Sequence, residues 1–574
     1  MKKLVLAILG AAFLFASCEK NELYIEQNPY RTIVEYTPGT VTVEVAGTLT
    51  PDEDYDWLSV SQSGSSATFT IRRNTTGGYR QAYYTQAGSD FKCVIIQMEH
   101  GLDAKSVGSL DNLDTDEGVA TLAFTTNSSY PDDYSEWGYI ISKTTKMEEG
   151  SMHSLGTPVF NASASFDIED IVEGQNYYVW SYHKSTEDTY AYSDMVAIIT
   201  VPVYVKAGED LQAAIDGAYP FSEIRVQGGA TFNGPIYMTS ANANKSISGG
   251  WNADFTAQDI NNLSILDGAG KNYGFWCAEK DFTPLTGGYV NISYFKVTGC
   301  AGDHGSGVHI CGGPVNIHHC LFEGNVFDSK GVVGTREEDY SSELTLYNCI
   351  FRDNIAEGGH GACLGFGDGV SYDDYVKATV VNNLFVNNDA TKYDGYCSIF
   401  ICYNYTELIF VNNTVVGNFC YRENGGGLYP GMNYRGNTRN LIANNIFVGN
   451  TTSVCVTPPI LEPHTQYISL GGSAAVVANN IIEGTIGDSG NMSESGNSYY
   501  DAGFDYSSVL DKSSYMPKGD AIGLGSLDTW TIKFRDAGSN TVDIASILDK
   551  YNTDLAGNPR VVGGKVDAGC YQAQ

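Results

Sequence analysis

The sequence predicts an all-β protein whose larger part is a parallel β-solenoid, and repetition carries this prediction. Seven segments between residues 290 and 485 share a strand-like run, rich in Val, Ile and Phe, that ends in a Gly or Asn turn. One column of this pattern recurs every 25 to 35 residues, a period typical of solenoids, arrays and propellers. Strand-like units favour a β-solenoid over a helical repeat. The column contains Phe295, Cys320, Cys349, Asn383, Asn413, Asn445 and Asn480.

Asparagine supplies the second observation. In a stack of coils about 4.8 Å apart, like residues lie over like, so a repeated Asn forms a ladder of amides. Asn also tolerates the left-handed conformation of tight turns. We predict two ladders, Asn383-Asn413-Asn445-Asn480 and Asn325-Asn354-Asn388-Asn418-Asn450. The pattern does not show which face of the sheet the adjoining, mostly apolar column occupies. That column contains Leu321, Ile350, Leu384, Thr414, Ile446 and Ile481.

The N-terminus is typical of an exported chain. Met1-Lys-Lys is followed by an apolar run from Leu4 to Ala16, which is too short to span a bilayer, and then by Cys18. This resembles a bacterial lipoprotein signal over residues 1–18, with Cys18 as the lipidated residue, although an ordinary secretory signal is the alternative. The resemblance implies an anchored protein at the outer membrane or cell surface of a Gram-negative bacterium. Residues 19–29 are then a linker.

Residues 30–100 show alternating strand patterns, among them Trp57-Leu-Ser-Val60, Thr68-Phe-Thr-Ile71 and Val94-Ile-Ile-Gln97. The segment resembles a BACON-type domain, a small β-sandwich found ahead of carbohydrate-active domains. Trp57 has two interpretations: its ring stacks on sugar, or it belongs to the core. A spacer role suits this domain as well as binding does.

Residues 103–202 resemble a fibronectin type III domain. Strand patterns such as Thr121-Leu-Ala-Phe-Thr125 and Trp137-Gly-Tyr-Ile-Ile141 recur at sandwich spacing. Gly174-Gln-Asn-Tyr177 resembles the approach to a tyrosine corner. Domains of this type usually act as spacers.

Residues 203–574 are predicted to form the solenoid, with a cap at each end. Asp210 to Ala218 has the pattern of a short amphipathic helix and begins the N-terminal cap. The end, from Asp554-Leu-Ala-Gly-Asn-Pro-Arg560 to Asp567-Ala-Gly-Cys-Tyr571, resembles the closing motif of many bacterial right-handed β-helix proteins. The whole region resembles the pectin-lyase-like superfamily, which implies a right-handed parallel β-helix. That fold does not specify function, because lyases, hydrolases, adhesins and stalks all use it.

Composition limits the partners. The formal charge of −34 argues against nucleic acid, and it disfavours polyanions unless calcium or a basic patch reverses the local field. The thirteen cysteines fit one lipidated residue plus twelve others. Because several of these occupy stacked strand positions, we expect small buried hydrophobes and few disulfides. We expect a monomer that contacts the membrane only through its lipid.

One irregular margin of the stack is the predicted site of carbohydrate contact. A second row of short strands lies between the repeats, and polar loops after it line up along one edge, where tyrosines stack sugars and Arg or Asp bind hydroxyls. A solvated loop edge is the alternative. The carbohydrate candidates are Tyr372, Asp373, Asp374, Tyr403, Tyr405, Tyr434 and Arg435.

The same region contains residue types that catalysis requires, but no complete catalytic motif. A lyase needs a base and a group that neutralises the uronate carboxylate. The candidates with suitable side chains are Lys330, Arg336 and His360. Asp368, Asp373 and Asp374 would hold calcium through oxygen ligands, and no other cofactor is indicated. A hydrolase needs paired carboxylates, whereas adjacent Asp373 and Asp374 tend to splay apart.

Histidine is also concentrated here. His304, His309, His318, His319 and His360 fall within one stretch, and we expect His318 and His319 to point to opposite faces of one strand. A lyase base or metal ligand is one interpretation, and incidental packing is the other.

The sequence therefore predicts a surface lipoprotein that contacts a polysaccharide or glycoconjugate, by binding or adhesion. The alternatives are a polysaccharide lyase or glycoside hydrolase acting in a β-helix groove, and a structural stalk.

Overall fold

The computed structural model describes residues 30–573 apart from short gaps, and it divides into two units. One unit contains residues up to Asp170 together with Tyr177–Ile199, and the other contains Ile171–Asn176 and the chain from Thr200. The gaps are 46, 75, 77, 87–91, 99–101, 116, 187, 303, 328–330, 336–340, 358–362, 368–370, 372–374, 391–399, 403, 423–431, 435–436, 455–459, 464–465, 470–473, 488–490 and 535–537.

The first unit holds two sandwiches. In the first sandwich, one sheet pairs Tyr30–Val34, Lys92–Gln97, Arg80–Gln86 and Leu49–Pro51, and the other pairs Gly39–Glu44, Ser66–Ile71 and Leu58–Ser63. Their shared core includes Phe69 and Ile95. Trp57 is only 7% exposed and packs in this core, with the Arg80 guanidinium 4.8 Å from its ring centroid. The interpretation of Trp57 as a sugar platform is therefore wrong, because its faces are already covered.

The second sandwich repeats this two-layer plan. One sheet orders Ser151–Gly156, Tyr134–Ser142, Tyr177–Ser185 and Tyr190–Ile199; the other orders Ser163–Ile168, Val119–Asn127 and Lys105–Asp114. The Tyr177 hydroxyl donates to the Asp170 carbonyl at 3.4 Å, which is the kind of contact a tyrosine corner makes. Short 3-10 turns, Pro131–Asp133 and Met147–Glu149, connect strands in this sandwich.

His183 lies in the middle of the second sandwich and is fully buried. Its ring packs against Tyr134, Trp137 and Phe160 at centroid distances of 5.9 to 6.2 Å. Neither ring nitrogen has a hydrogen-bond partner in the described part of the chain. Burial lowers the pKa of this imidazole to about 4, so the folded sandwich holds it neutral.

This burial predicts a pH-dependent stability of the second sandwich. Unfolded His has a pKa of about 6.5, so below that pH the unfolded state binds a proton that the folded state refuses until about pH 4. The contribution of His183 to stability is therefore constant above pH 6.5 and falls by roughly 3 kcal/mol in total as pH drops from about 6.5 to about 4.

Hydrogen exchange of the amides in Tyr177–Ser185 measures this effect, after correction for intrinsic exchange rates. In His183→Phe, we expect protection at pH 5 to approach its value at pH 7. An unchanged difference between the two pH values in the variant would assign the dependence to other groups.

The second unit is a right-handed parallel β-helix. Each coil contributes strands, in chain order, to sheets that we name A, B, C and D. Sheet A comprises Val203–Val205, Glu223–Gln227, Lys245–Trp251, Val290–Ser293, Pro314–His318, Glu343–Tyr347, Val376–Val381, Thr406–Val411, Thr438–Ala443, Ala474–Ala478 and Met492–Ser495. Sheet B comprises Thr231–Asn233, Ser264–Asp267, Phe295–Thr298, Leu321–Glu323, Ile350–Arg352, Leu384–Val386, Thr414–Val416, Ile446–Val448, Ile481–Glu483 and Ser498–Tyr500.

The other two sheets complete each coil. Sheet C comprises Ala301–Gly302, Val326–Phe327, Ile355–Ala356, Asp389–Ala390, Phe419–Arg422, Thr451–Val454 and the antiparallel Ile460–Pro463. Sheet D comprises Ile236–Met238, Phe275–Cys277, Val308–Ile310, Val333–Thr335, Leu364–Phe366, Phe400–Cys402, Met432–Tyr434, Gln466–Ser469 and Thr485–Gly487. The predicted solenoid class is confirmed, because successive strands of each main sheet pair in parallel with like residues in register.

Both predicted asparagine ladders are present. Asn383 donates from its backbone N–H and its side-chain amide to Asn413 Oδ1, at 2.9 and 3.0 Å. Asn354 and Asn388 are joined in the same way, at 3.2 and 2.8 Å. The first ladder extends one rung beyond the prediction, to Asn497. These buried amides satisfy the backbone where the chain turns between sheets.

A short helix, Leu211–Gly217, lies at the N-terminal end of the stack as predicted. Asp210 caps it by accepting from the Ala213 N–H at 3.0 Å. Lys245, buried in the first coils, donates through Nζ to the Ile215 carbonyl at 2.6 Å, and burial lowers its pKa. The 3-10 turn Ser240–Asn242 adjoins this end. No helix among the described residues has the length and apolar character needed to cross a membrane.

After its last coil the chain turns back along the outside of the helix; we call residues 501–573 the C-terminal segment. It contains the 3-10 turns Tyr506–Ser508 and Gly519–Ala521, the hairpin Thr529–Lys533 with Ser539–Asp543, and the helix Ile544–Lys550. It packs on sheet B through a cluster that includes Val509 and Leu510, and on sheet A through a cluster that includes Ile532 and Leu548. Most of the apolar column that the sequence left unassigned therefore faces outward, beneath this segment.

Eight cysteines whose side chains the structure describes are free, buried thiols. Burial raises the pKa of the Cys93 thiol and the Cys570 thiol to about 12, so neither is a reactive thiolate. The eight thiols are Cys93, Cys277, Cys300, Cys311, Cys320, Cys349, Cys363 and Cys570.

Candidate functional site

Most of the predicted sugar-binding edge lies outside the described residues. Tyr405 is described, and Tyr434 is described as the last backbone position of a sheet D strand. The predicted lipidation site, Cys18, also lies outside. The remaining candidates outside the described residues are Lys330, Arg336, His360, Asp368, Tyr372, Asp373, Asp374, Tyr403 and Arg435.

The described part of this edge is stacked. Tyr405 adopts a left-handed φ of 52° at the corner that leads into sheet A. Its N–H donates to the Asn437 carbonyl at 2.6 Å, and its carbonyl accepts from the Val376 N–H at 3.0 Å. Backbone hydrogen bonds therefore join three successive coils at the corner that leads into sheet A.

The outer face of sheet A in the early coils carries a polar column. We call Ser246, Asn291, Asn316, Thr345 and Thr379 the polar strip; they are in register on successive strands. All five are partly exposed, because the side chains that alternate with them point into the core. The strip spans roughly 20 Å along the stack.

Amide hydrogen bonds order the strip. Asn316 Nδ2 donates to Asn291 Oδ1 at 2.8 Å, and Asn291 Nδ2 donates to Ser246 Oγ at 2.9 Å. The strip contains no charged side chain. It therefore presents neutral donors and acceptors at a regular spacing.

A charged but internally paired group closes the N-terminal end of the strip. Arg225 donates to Glu223 Oε2 at 2.9 Å, and its guanidinium lies 4.2 Å from the Trp251 ring centroid. Trp251 Nε1 donates to Ser248 Oγ at 2.9 Å. The guanidinium charge is therefore already balanced by a carboxylate.

The C-terminal segment closes the other end. Tyr347 packs against Tyr551, with ring centroids 4.7 Å apart. Further along, Arg439 pairs with the buried carboxylate of Glu407 and donates to Tyr375 Oη at 2.7 Å, while its guanidinium lies 4.5 Å from the Phe534 ring centroid. Later coils of sheet A are thus covered, and the strip is the open part of the face.

Paired aromatic rings form a wall beside the strip. His318 stacks on Tyr347 with centroids 4.8 Å apart, and His319 stacks on Tyr294 at 4.9 Å. The two histidines also meet each other, with their Nδ1 atoms 2.9 Å apart. The expectation that they point to opposite faces is wrong, because His319 has a left-handed φ of 53° and sits at a corner, where strand alternation ends.

The histidine wall is poorly suited to proton transfer at neutral pH. Burial lowers the pKa of both imidazoles to about 4, and for His318 the neighbouring His319 lowers it further. A general base works best with a pKa near the operating pH. The histidines do not form one cluster: His309 lies on sheet D, stacked on Trp276 at 4.2 Å, and His360 lies outside the described residues.

An acid–base cluster on sheet B has the wrong electrostatics for a catalytic acid. Glu323 pairs with Lys296 and Arg352 on the outer face. Partial burial favours a higher pKa of this carboxyl, but the hydrogen bonds from Lys296 and Arg352 outweigh it, and the pKa is lowered. The carboxylate therefore stays ionised. Within the residues that the structure describes, no group of three or more His, Cys, Asp and Glu side chains is placed to hold a metal.

The fold and this site define the class: a right-handed parallel β-helix with an uncharged strip on one outer face. No family model and no curated protein matches the chain. Among solved structures, the chain is similar to pectate lyase PelI from Erwinia chrysanthemi in complex with tetragalacturonic acid. The match has a TM-score of 0.14 and 11% identity, and it covers 70% of this chain and 91% of that one. The architecture given above follows from this chain's own strand pairing.

Proposed function

We propose that the protein binds a neutral polysaccharide along the polar strip, as a binding or adhesive protein. The observation that supports this is the strip itself: partly exposed amides and hydroxyls in register on successive coils. A polymer that lies along the stack would meet the same donors and acceptors at each rung. Sugar hydroxyls donate and accept, so they match amides and hydroxyls better than they match a row of like charges.

Charge favours a neutral polymer over a uronate polymer. The strip has no basic residue, and the nearest cations are held by carboxylates: Arg225 by Glu223, and Lys377 by Glu343 at 3.5 Å. The whole chain carries a formal charge of −34. An acidic polysaccharide would therefore be repelled without a compensating ion.

The setting of this activity is part of the same proposal. We infer that Cys18 carries a lipid that anchors the chain at the cell surface, and that the BACON-like and fibronectin type III-like sandwiches space the β-helix from the membrane. The N-terminal sequence pattern supports the anchor, and the Tyr177–Asp170 contact supports the second likeness.

Replacing both amides of the strip tests the proposal. We expect Asn291→Ala combined with Asn316→Ala to weaken retention by a neutral polysaccharide in affinity gels by about thirtyfold, since each of the two lost hydrogen bonds contributes roughly 1 kcal/mol. Asn233→Ala is the matched control, because Asn233 is an exposed amide on sheet B, away from the strip. A gel containing an acidic polysaccharide should retain neither variant.

The same samples distinguish the alternatives. New reducing ends, or absorbance from unsaturated ends, would identify a hydrolase or a lyase and overturn the binding proposal. Equal retention of the double variant and the control would place binding elsewhere. Absence of retention on every polysaccharide tested would leave a structural stalk.

A further inference from the structure

A cleft opens at one edge of the second sandwich, far in sequence from the polar strip. It lies between the edge strands Ser151–Gly156 and Ser163–Ile168, which belong to different sheets. Its volume is about 670 Å³, within the range of small-molecule sites. Side chains that matter for its chemistry are Tyr139, Lys143, His153, Asp167, Glu169 and Asp170.

Tyr139 supplies an unused hydroxyl to this cleft. Its ring is 8% exposed and lies between His153 and Phe166, with centroids 4.9 and 5.1 Å away and nearly parallel planes. The structure gives the Tyr139 hydroxyl no hydrogen bond to another described residue, and its oxygen is accessible from the cleft. Tyr hydroxyls donate and accept hydrogen bonds, so this group is available to a ligand in the cleft.

Carboxylates dominate the charge of the cleft. Glu149, Asp167, Glu169 and Asp170 line it, against the single cation Lys143. Glu149 is already bonded to Lys146 at 2.9 Å and to Thr144 at 2.7 Å. Glu169 lies close enough to Tyr139 for its negative charge to raise the pKa of that phenol, after the larger effect of burial. Asp167 accepts from Thr121 Oγ1 at 2.7 Å, and this neutral donor leaves its charge unbalanced. The net charge beside the Tyr139 hydroxyl is therefore negative.

We propose that this cleft binds an amino sugar through its protonated amine and its ring. The ammonium group pairs with Glu169 and Asp167, a ring hydroxyl bonds Tyr139 Oη, and the outer face of the exposed His153 ring packs on the sugar. The cleft would thus be a second site, for a cationic sugar, that works independently of the neutral strip on the β-helix. Charge selects against acidic sugars, and a neutral sugar would form no ion pair with the carboxylates.

Calorimetric titration of the full chain with a glucosamine trisaccharide tests this at about pH 6.5, where amines are protonated and the loss of stability expected from His183 has barely begun. The N-acetylated trisaccharide is the matched neutral probe. We expect measurable binding of the first and at least tenfold weaker binding of the second, with affinity falling as salt rises. Glu169→Gln should weaken binding about tenfold, and Tyr139→Phe, which removes only the oxygen, about fivefold.

Glu148→Gln is the control, since this exposed carboxylate is in the adjacent 3-10 turn but does not line the cleft. Equal affinity for the two trisaccharides would overturn the proposal, as would unchanged binding in Tyr139→Phe with an unchanged melting profile. Tighter binding of a lysine-rich peptide that displaces the trisaccharide would also overturn it, in favour of a protein ligand. Loss of the polar-strip activity has no bearing on these outcomes.

Discussion

Ending the chain after Tyr500 should leave a β-helix that does not stay soluble. The C-terminal segment covers apolar side chains on the outer faces of two sheets, and no other described element covers them. On sheet B these are Leu384, Val386, Val416, Ile446, Val448 and Ile481. On sheet A they are Val381, Ile409, Val411, Leu441, Ala443, Val476 and Ala478. Their burial contributes on the order of 10–20 kcal/mol as an upper bound. Losing it would remove an amount comparable to the whole free energy of unfolding of a typical domain.

Directed hydrogen bonds also hold the segment in place. Asn382 Nδ2 donates to the Thr553 carbonyl and Asn412 Nδ2 to the Asp567 carbonyl, each at 2.9 Å, and Asn444 Nδ2 donates to the Ser526 carbonyl at 3.0 Å. Within the segment, the fully buried Arg560 donates through Nη2 to the Asp567 carbonyl at 2.6 Å, and burial lowers its pKa to about 10. The segment is therefore built into the fold at defined positions.

The measurement is the soluble fraction after expression, with light scattering and binding of a hydrophobic dye on whatever remains soluble. Supplying residues 501–574 as a separate chain during expression is the control, because docking in trans should restore solubility. A truncated protein that stays monomeric and melts at the same temperature as the full chain would show that the segment is dispensable.

Asn413→Ala should be among the most destabilising single substitutions in the β-helix. The side-chain amide is fully buried and donates to the Val380 and Val411 carbonyls at 3.0 and 3.1 Å. Its Oδ1 accepts from the backbone and side chain of Asn383 at 2.9 and 3.0 Å. Removing it leaves several buried polar groups without partners, at about 1–3 kcal/mol each, so we expect a loss of about 4 kcal/mol or more.

Limited proteolysis compares this variant with Asn316→Ala, which breaks an amide contact of similar length on the outer face. Water replaces the lost partner at the partly exposed site, so the control should lose less than about 1 kcal/mol. Cleavage in the Asn413 variant should accelerate within the stacked coils around that rung. Equal cleavage rates in the two variants would contradict the expectation that the buried Asn413 side chain stabilises the stack more than the partly exposed Asn316 side chain does.

The repeat itself was readable from the sequence, because stacking is a local rule applied many times. Asn383 and Asn413 occupy the same pattern position, and the structure joins them directly. The first Asn of each Asn-Asn pair also repeats in the sequence, but the sequence does not indicate its structural role. Asn382, Asn412 and Asn444 turn the corner with φ of 57 to 61° and bind the returning C-terminal segment. Their partners lie 82 to 171 residues away, so no local pattern indicates them.

The candidate site was predicted less well. Loop composition predicted a site at an edge that lies mostly outside the described residues. The polar strip becomes visible only when strand register places Asn291 beside Asn316. The signal for it was present, as Val-Asn-Ile in Val290–Ile292 and Val315–Ile317. Alternation alone places those Asn residues opposite the core, but it does not say whether they meet solvent or another segment.

By itself the sequence determined that coils stack in parallel with like side chains superposed, since a recurring strand pattern satisfies its backbone only by pairing with the next copy. Tertiary structure alone decided which outer faces remain surface. That choice depends on where the C-terminal segment buries its apolar side chains, and burial between distant segments leaves no periodic trace in the chain.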